Sequence, residues 1–192
     1  MELGTKGDKD LSKGWLTLYI NSFHSGALVP AFAISNTAAD SLLGSMDQLN
    51  LIELKDLKFD WDPKLQTIIS QMYNVDDSLV HLSGKSALQN ITHIKAAIKD
   101  SSPALENYSP EVGADYSTEW PGDELAKSFK AVAQLIKMEV GLRVATVDFD
   151  GWDMHDGEGW RFPSLAEALS RNLTAFYNDI NKHHNKLLLF NE

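Results

Sequence analysis

The densest group of chemically capable side chains is Asp148-Phe-Asp-Gly-Trp-Asp-Met-His-Asp-Gly-Glu158. Five carboxylates (Asp148, Asp150, Asp153, Asp156, Glu158) and the imidazole of His155 fall within eleven residues, with no Lys or Arg among them. Carboxylates this close repel one another, and a divalent cation relieves the repulsion. Hard cations such as calcium take oxygen ligands, and imidazole joins them for zinc, manganese or iron. Asp153 and His155 are two residues apart, so an extended backbone turns both side chains to one point. They are the expected metal ligands. Asp148 and Asp150 share a parity with each other, opposite to that of Asp153 and His155, and lie closer to the preceding strand, where they would orient the loop as outer acceptors. Gly151 and Gly157 permit a tight backbone. The plain alternative is a solvated surface loop, in which Trp152 packs rather than holds a substrate.

Two motifs are tested by spacing. An EF-hand loop requires Asp-x-Asp-x-Asp-Gly with Glu at its twelfth position. Here Gly151 follows Asp150 directly and Trp152 takes the third ligand position, so that reading fails. Val147-Asp148-Phe149-Asp150-Gly151 also resembles the first motif of haloacid-dehalogenase-type phosphatases. That resemblance implies Asp148 as nucleophile and Asp150 as acid/base. Trp152 stands where that family has Thr or Val, and 41 residues remain after Gly151 for its later motifs. It is the runner-up enzyme.

The elements that position this loop are read from periodicity. Leu125, Phe129, Val132, Ile136 and Val140 form one helical stripe over 123–140, which Gly141 is expected to end. Arg143 to Phe149 reads as a strand entering the acidic loop. Ser164 with Glu167 makes a capping box for a helix over 164–182, whose stripe is Leu165, Leu169, Phe176 and Ile180. Lys186 to Phe190 reads as a closing strand. Upstream, Gly14–Ile20 is helix or strand, Ala31–Ser35 a buried strand, and 44–62 shows little period. Pro63 opens a helix with Leu65, Ile68, Ile69 and Met72 on one face. A longer helix over 76–99 is interrupted or bent near Gly84, and 101–122 is loop. Helix, strand, loop, helix and strand with short connections imply an α/β fold with a mainly parallel sheet flanked by helices. Residues 1–12 read as a disordered lead-in and 13–192 as one α/β domain. Strands near 31–35, 143–149 and 186–190 should share the sheet, with the last two helices packed on it.

Bulk properties narrow the function classes. The chain has 192 residues, 43% hydrophobic and 23% charged, in the range of soluble globular proteins. Its formal net charge of −10, with scattered basic residues, argues against a nucleic-acid partner, because such binding needs Lys and Arg on phosphates. The absence of cysteine excludes disulfides and thiolate chemistry. No apolar run reaches membrane-spanning length, and the N-terminus lacks the apolar core of a signal peptide. The sequons at Asn90, Asn107 and Asn172 read as chance. His24, His81 and His93 stand without acidic partners at ligand spacing, and His183 and His184 suit a helix C-terminus.

One family resemblance covers most of 12–192 and is dense over 141–179. Asp150-Gly151-Trp152-Asp153-Met154-His155 stands where the uncharacterised bacterial family called domain of unknown function fifteen-oh-one carries Gly-Gly-Trp/Phe-Asp-Thr-His. Leu142–Val147 is similar to its strand and Ala175–Asp179 to its helix end. Lys13-Gly14-Trp15-Leu16 with Tyr19, and Leu187 to Glu192, extend the likeness. Asp150 replaces the first Gly and Met154 replaces Thr. The resemblance implies an alkaline-phosphatase and sulfatase type of fold, with Asp153 and His155 as ligands of zinc, manganese or calcium. It implies a hydrolase of phosphate or sulfate esters, exported by the twin-arginine route to the periplasm or beyond. The family's N-terminal segment and its later Asp-His-Gly segment are unmatched. The chain is therefore expected to be an internal fragment, inactive alone, with a non-catalytic binding or structural protein of the same fold as the alternative.

Overall fold

The computed structural model describes residues 13–22, 31–35, 39–45, 48–50, 62–100 (side chains of 97–100 excepted), 108–181 and 183. The fold is α/β, with a three-stranded parallel sheet and five helices among these residues. The chain divides into two compact units: one of Met1–Asp100 with Val140–Thr146, the other of Ser101–Glu139 with Val147–Glu192.

The first unit holds the sheet. Strand β1 (Ala31–Ile34) is buried at all four positions, as a central parallel strand covered on both faces should be. It pairs in parallel with β2 (Gln48–Asn50), Ala31 opposite Gln48, and β3 (Val144–Val147) lies on its other side. Helix α1 (Trp15–Ser22) settles the ambiguity of the Gly14–Ile20 segment. Ile20, Ala31, Ala33 and Leu42 form one apolar cluster, with Leu16, Ala39 and Val144 packed against it. Thr17 is buried there and donates to the Leu43 carbonyl at 3.0 Å. The expected strand at 186–190 lies outside the described residues.

Helix α2 (Pro63–Met72) starts as expected, with Asp62 capping through the Lys64 N–H at 2.9 Å. Its apolar stripe, Leu65, Ile68 and Met72, faces solvent. Helix α3 (Leu79–Asp100) runs through Gly84 without the interruption that the sequence allowed there. The glycine serves close packing instead. A Cβ there would sit 2.2 Å from the Tyr73 ring, so only a hydrogen lets the ring reach the helix backbone.

The second unit pairs α4 (Asp123–Lys137) with α5 (Glu158–Asp179). Leu125, Phe129 and Val132 of the first stripe are buried, and so are Leu165, Phe176 and Ile180 of the second. The Phe129 and Phe176 rings lie 5.1 Å apart at their centres. These helices pack on each other and belong to the second unit. Asn172, a sequon asparagine, is fully buried, as Asn90 nearly is in the first unit, so neither offers its amide for modification once folded.

Two helix ends depart from expectation. Helix α5 begins at Glu158, six residues before the expected capping box. Ser164 is already helical and donates to the Trp160 carbonyl at 3.0 Å. The start is made by left-handed Gly157 (φ 81°), whose carbonyl accepts the N–H of Trp160 and Arg161, and by Glu158 facing the positive end of the helix dipole. Pro163 thus falls inside the helix. Helix α4 stops at Lys137, short of Gly141. Glu139 takes the left-handed position first (φ 52°), its N–H bonded to the Ile136 carbonyl at 3.1 Å.

A side chain in the left-handed region costs roughly 1 kcal/mol, which glycine avoids. Glu139→Gly is therefore expected to stabilise the fold by about that amount, a rise of about 2–4 °C in Tm for a chain of this size. A fall in Tm on calorimetry would show that the Glu139 side chain contributes more than its backbone costs.

Candidate functional site

The acidic loop leaves β3 and reaches α5 between two left-handed glycines, Gly151 (φ 98°) and Gly157. The positive φ falls on Gly151 itself, so Asp150 needs no unusual conformation. Gly151 also turns toward Leu165 of α5, whose methyl carbon would lie 3.6 Å from an added Cβ.

Between these glycines the two expected ligands meet. The Asp153 carboxylate lies 3.1 Å from His155 Nε2, and the two side chains are 83% and 89% exposed. An oxygen and an imidazole nitrogen are thus offered together to solvent, the donor pair that borderline cations such as zinc or manganese accept. Among the described residues there is no group of three or more His, Asp or Glu side chains placed to hold an ion. Asp148 and Asp150, the acidic pair of the alternative phosphatase reading, are both exposed.

Trp152 has a defined setting. Its ring meets Phe149 edge-on at 5.6 Å between centres and Phe162 at 6.0 Å, so it packs within a small aromatic group. That group remains open to water: Trp152 is 39% exposed, Phe162 52% and nearby Trp160 61%. Trp160 rests against Gly157, where a Cβ would stand 2.6 Å from its indole nitrogen.

The most elaborate polar cluster of the second unit lies elsewhere and has no counterpart in the sequence reading. Asp179, at the end of α5, is fully buried. Its Oδ1 accepts from Lys137 Nζ at 2.7 Å and from the Glu111 N–H at 2.9 Å. Its Oδ2 accepts from the Tyr116 hydroxyl at 2.9 Å and from the Tyr108 hydroxyl. Lys137 also donates to the Tyr108 oxygen at 3.3 Å, lies over the Tyr108 ring, and stands 3.6 Å from Glu111. Burial pushes the Asp179 carboxyl up, but the hydrogen bonds from Lys137, Tyr108, Glu111 and Tyr116 outweigh it and hold the carboxyl below its usual range. Burial, with the Asp179 carboxylate beside them, raises both tyrosines well above the ordinary phenol range.

A carboxylate has about four acceptor positions, and all four are taken here. Nothing remains for a substrate or an ion, so this cluster is a clamp. It fastens the segment 108–117 to the ends of α4 and α5. Further along the helix Asn172, fully buried, accepts from the Ser117 N–H at 3.0 Å and donates to the Gly122 carbonyl at 2.9 Å. Arg171 pairs with Asp115 at 2.9 Å, and Asn178 donates to the Gly113 carbonyl at 3.2 Å. A signal was present in the sequence: Asn172 and Asp179 follow Leu165 at intervals of seven, polar residues in a core-facing row.

His81, read as standing alone, has a partner. Its Nδ1 lies 2.5 Å from Asp76 and 2.8 Å from Ser78, while Asp76 also accepts the Ser78 N–H at 2.8 Å. Hydrogen bonds from His81 and then Ser78 hold the Asp76 carboxyl below its usual range. The five-residue interval escapes ligand-spacing rules because the helix entry folds Asp76 back onto the first turn. His183 lies just past the end of α5, its N–H bonded to the Ile180 carbonyl at 2.7 Å. His24 and His184 lie outside the described residues.

No protein-family model, curated protein or solved structure matches this chain.

The clamp sets a pH window. Asp179 has a lowered carboxyl, so its contribution is complete above the ordinary Asp value near 4 and is lost as pH falls below it. Tyr108 and Tyr116 have raised phenols, so theirs is complete below about 10 and is lost as pH rises further. Asp179→Asn leaves the largely buried Lys137 with only the exposed Glu111 carboxylate, 3.6 Å away, as counter-charge and is expected to cost about 3 kcal/mol. Denaturant unfolding of the second unit between pH 3 and 8 should then lose much of its acid limb. An unchanged acid limb in the variant would show that other carboxylates set it.

Proposed function

We propose that this chain supplies a cation-binding loop to a metal-dependent hydrolase of the alkaline phosphatase and sulfatase type, with Asp153 and His155 as ligands. The observation that carries the reading is the convergence of the Asp153 carboxylate and His155 Nε2 to 3.1 Å at an open loop following a parallel strand. The likeness of 141–179 to the family with Gly-Gly-Trp/Phe-Asp-Thr-His supports the same assignment. Such an ion would polarise a phosphate or sulfate ester and stabilise the charge that develops on it. The chain's own part is to present one carboxylate and one imidazole together, with Gly151 and Gly157 fixing the turns on either side. A complete catalytic centre takes three or four protein ligands, so further donors would come from beyond this pair. By the same resemblance the parent protein works in the periplasm or outside the cell. No helix among the described residues is long and apolar enough to cross a membrane.

A second reading is a non-catalytic binding protein of the same fold. It is favoured by the lack, among the described residues, of any group of three potential ligands.

Calorimetric titration of Zn²⁺ and Mn²⁺ into the protein, and into its Asp153→Ala and His155→Ala variants, tests the assignment. Each substitution is expected to weaken the tightest binding step at least ~10-fold, the loss of one ligand from a small set. Unchanged affinity in both variants would refute it. Binding that depends on the pair, without turnover of aryl phosphate or sulfate by the parent, would favour the non-catalytic reading.

A further inference from the structure

Helix α2 leaves its apolar side without a partner. Leu65, Ile68 and Met72 stand at intervals of three and four on one face and are 46%, 52% and 63% exposed. None of the ten residues of the helix is buried. Its contact with α3 lies to one side of the stripe, where the Tyr73 ring rests against Gly84. A helix of this length is marginal by itself, and most helices are held by burial of their apolar stripe. Exposed apolar residues continue along the chain at Val75, Leu79 and Val80. Apolar surface gathered in this way marks a contact with another molecule.

Three features point to a second copy of the same chain. The stripe is nearly symmetric about Ile68, with Leu65 three residues before it and Met72 four after. In an antiparallel pair of α2 helices, Leu65 of each copy meets Met72 of the other, and Ile68 lies beside its own counterpart at the two-fold axis. The helix carries one charged side chain, Lys64. Two chains of net charge −10 repel over most of their surface, but here they approach without opposing carboxylates. Antiparallel pairing also brings Lys64 towards the C-terminus of the other copy's helix. That end is negative by its dipole and is followed by the exposed residues Asp76 and Asp77. Asp62, at the same end as Lys64, is turned to its own helix as the cap. We infer that this chain self-associates as an isologous dimer through α2. A single helix pair falls at the low end of interface sizes, under ~1,200 Å², so the dimer is a weak and reversible one.

Sedimentation equilibrium of the full chain from roughly 10 µM to 1 mM, the range of a weak interface, should show monomer passing to dimer. Ile68→Asp sets two carboxylates face to face at the axis and should weaken association at least ~10-fold. Thr67→Asp, on the opposite side of α2, should leave it unchanged. Circular dichroism checks that both variants keep their helices. The chain has no cysteine, so single thiols report the geometry without placing a charge in the helix. Under mild oxidation Ile68→Cys should cross-link to itself. A mixture of Leu65→Cys and Met72→Cys chains should give the mixed dimer in preference to either homodimer. A monomer throughout the concentration range, association indifferent to Ile68→Asp, or homodimers favoured in the thiol mixture would overturn the inference. So would binding of phosphatidylcholine vesicles by the monomer that Ile68→Asp abolishes, which would assign the stripe to a membrane surface.

Discussion

A single buried carboxylate organises the second unit. Asp179 sits without solvent contact at the end of a 22-residue helix and draws four donors onto its two oxygens. Removing a carboxylate from water costs several kcal/mol, and that cost is offset only if every lone pair is engaged and a positive charge stands close. Lys137 provides the charge. Tyr108, Tyr116 and the Glu111 N–H provide the remaining bonds. The requirement then propagates outward. To deliver these donors the irregular segment 108–117 must follow the helices, and Asn172 and Arg171 hold it there through Ser117, Gly122 and Asp115. The pairing of α4 with α5 is apolar along the helices and closed at their ends by the Lys137–Asp179 ion pair, whereas the path of the chain between 108 and 122 is specified by polar bonds.

The clamp and the acidic loop illustrate opposite uses of charge. At Asp179 the carboxylate is saturated and shielded, so its energy goes into specifying structure. In the loop the carboxylates of Asp148, Asp150 and Asp153 are exposed and follow one another closely along the chain, where ionic contacts contribute little to folding. Repulsion that is not relieved inside the protein is available to be relieved by something outside it. This contrast is the physical reason for seeking the ligand at the loop.

Much of the framework could be read from periodicity. Leu125, Phe129 and Val132 face the core of the second unit, and Ala31–Ile34 is the buried strand its composition suggested. Strand β2 escaped because it has three residues, of which only Leu49 is buried, too short for a period to register. The start of α5 was misplaced because Pro163 and Ser164 carry the chemistry of a helix beginning, while the residue that makes the beginning is Gly157. The meeting of Asp153 with His155 followed from local spacing. The clamp could not be read in that way, since Asp179 and its partners are 42 to 71 positions apart and only the fold brings them together.

Pro163 gives α5 two ends of different character. A proline there offers no N–H to the Gly159 carbonyl, and the turn before it is exposed and begins at glycine. Every polar fastening of the helix to segment 108–122 lies at Arg171 or beyond. The amide protons of the first turn should therefore exchange with solvent long before those of Ala175 and Phe176. The helix is thus fastened by polar bonds over its second half, at Arg171, Asn172, Asn178 and Asp179, and it is the other end that joins the acidic loop.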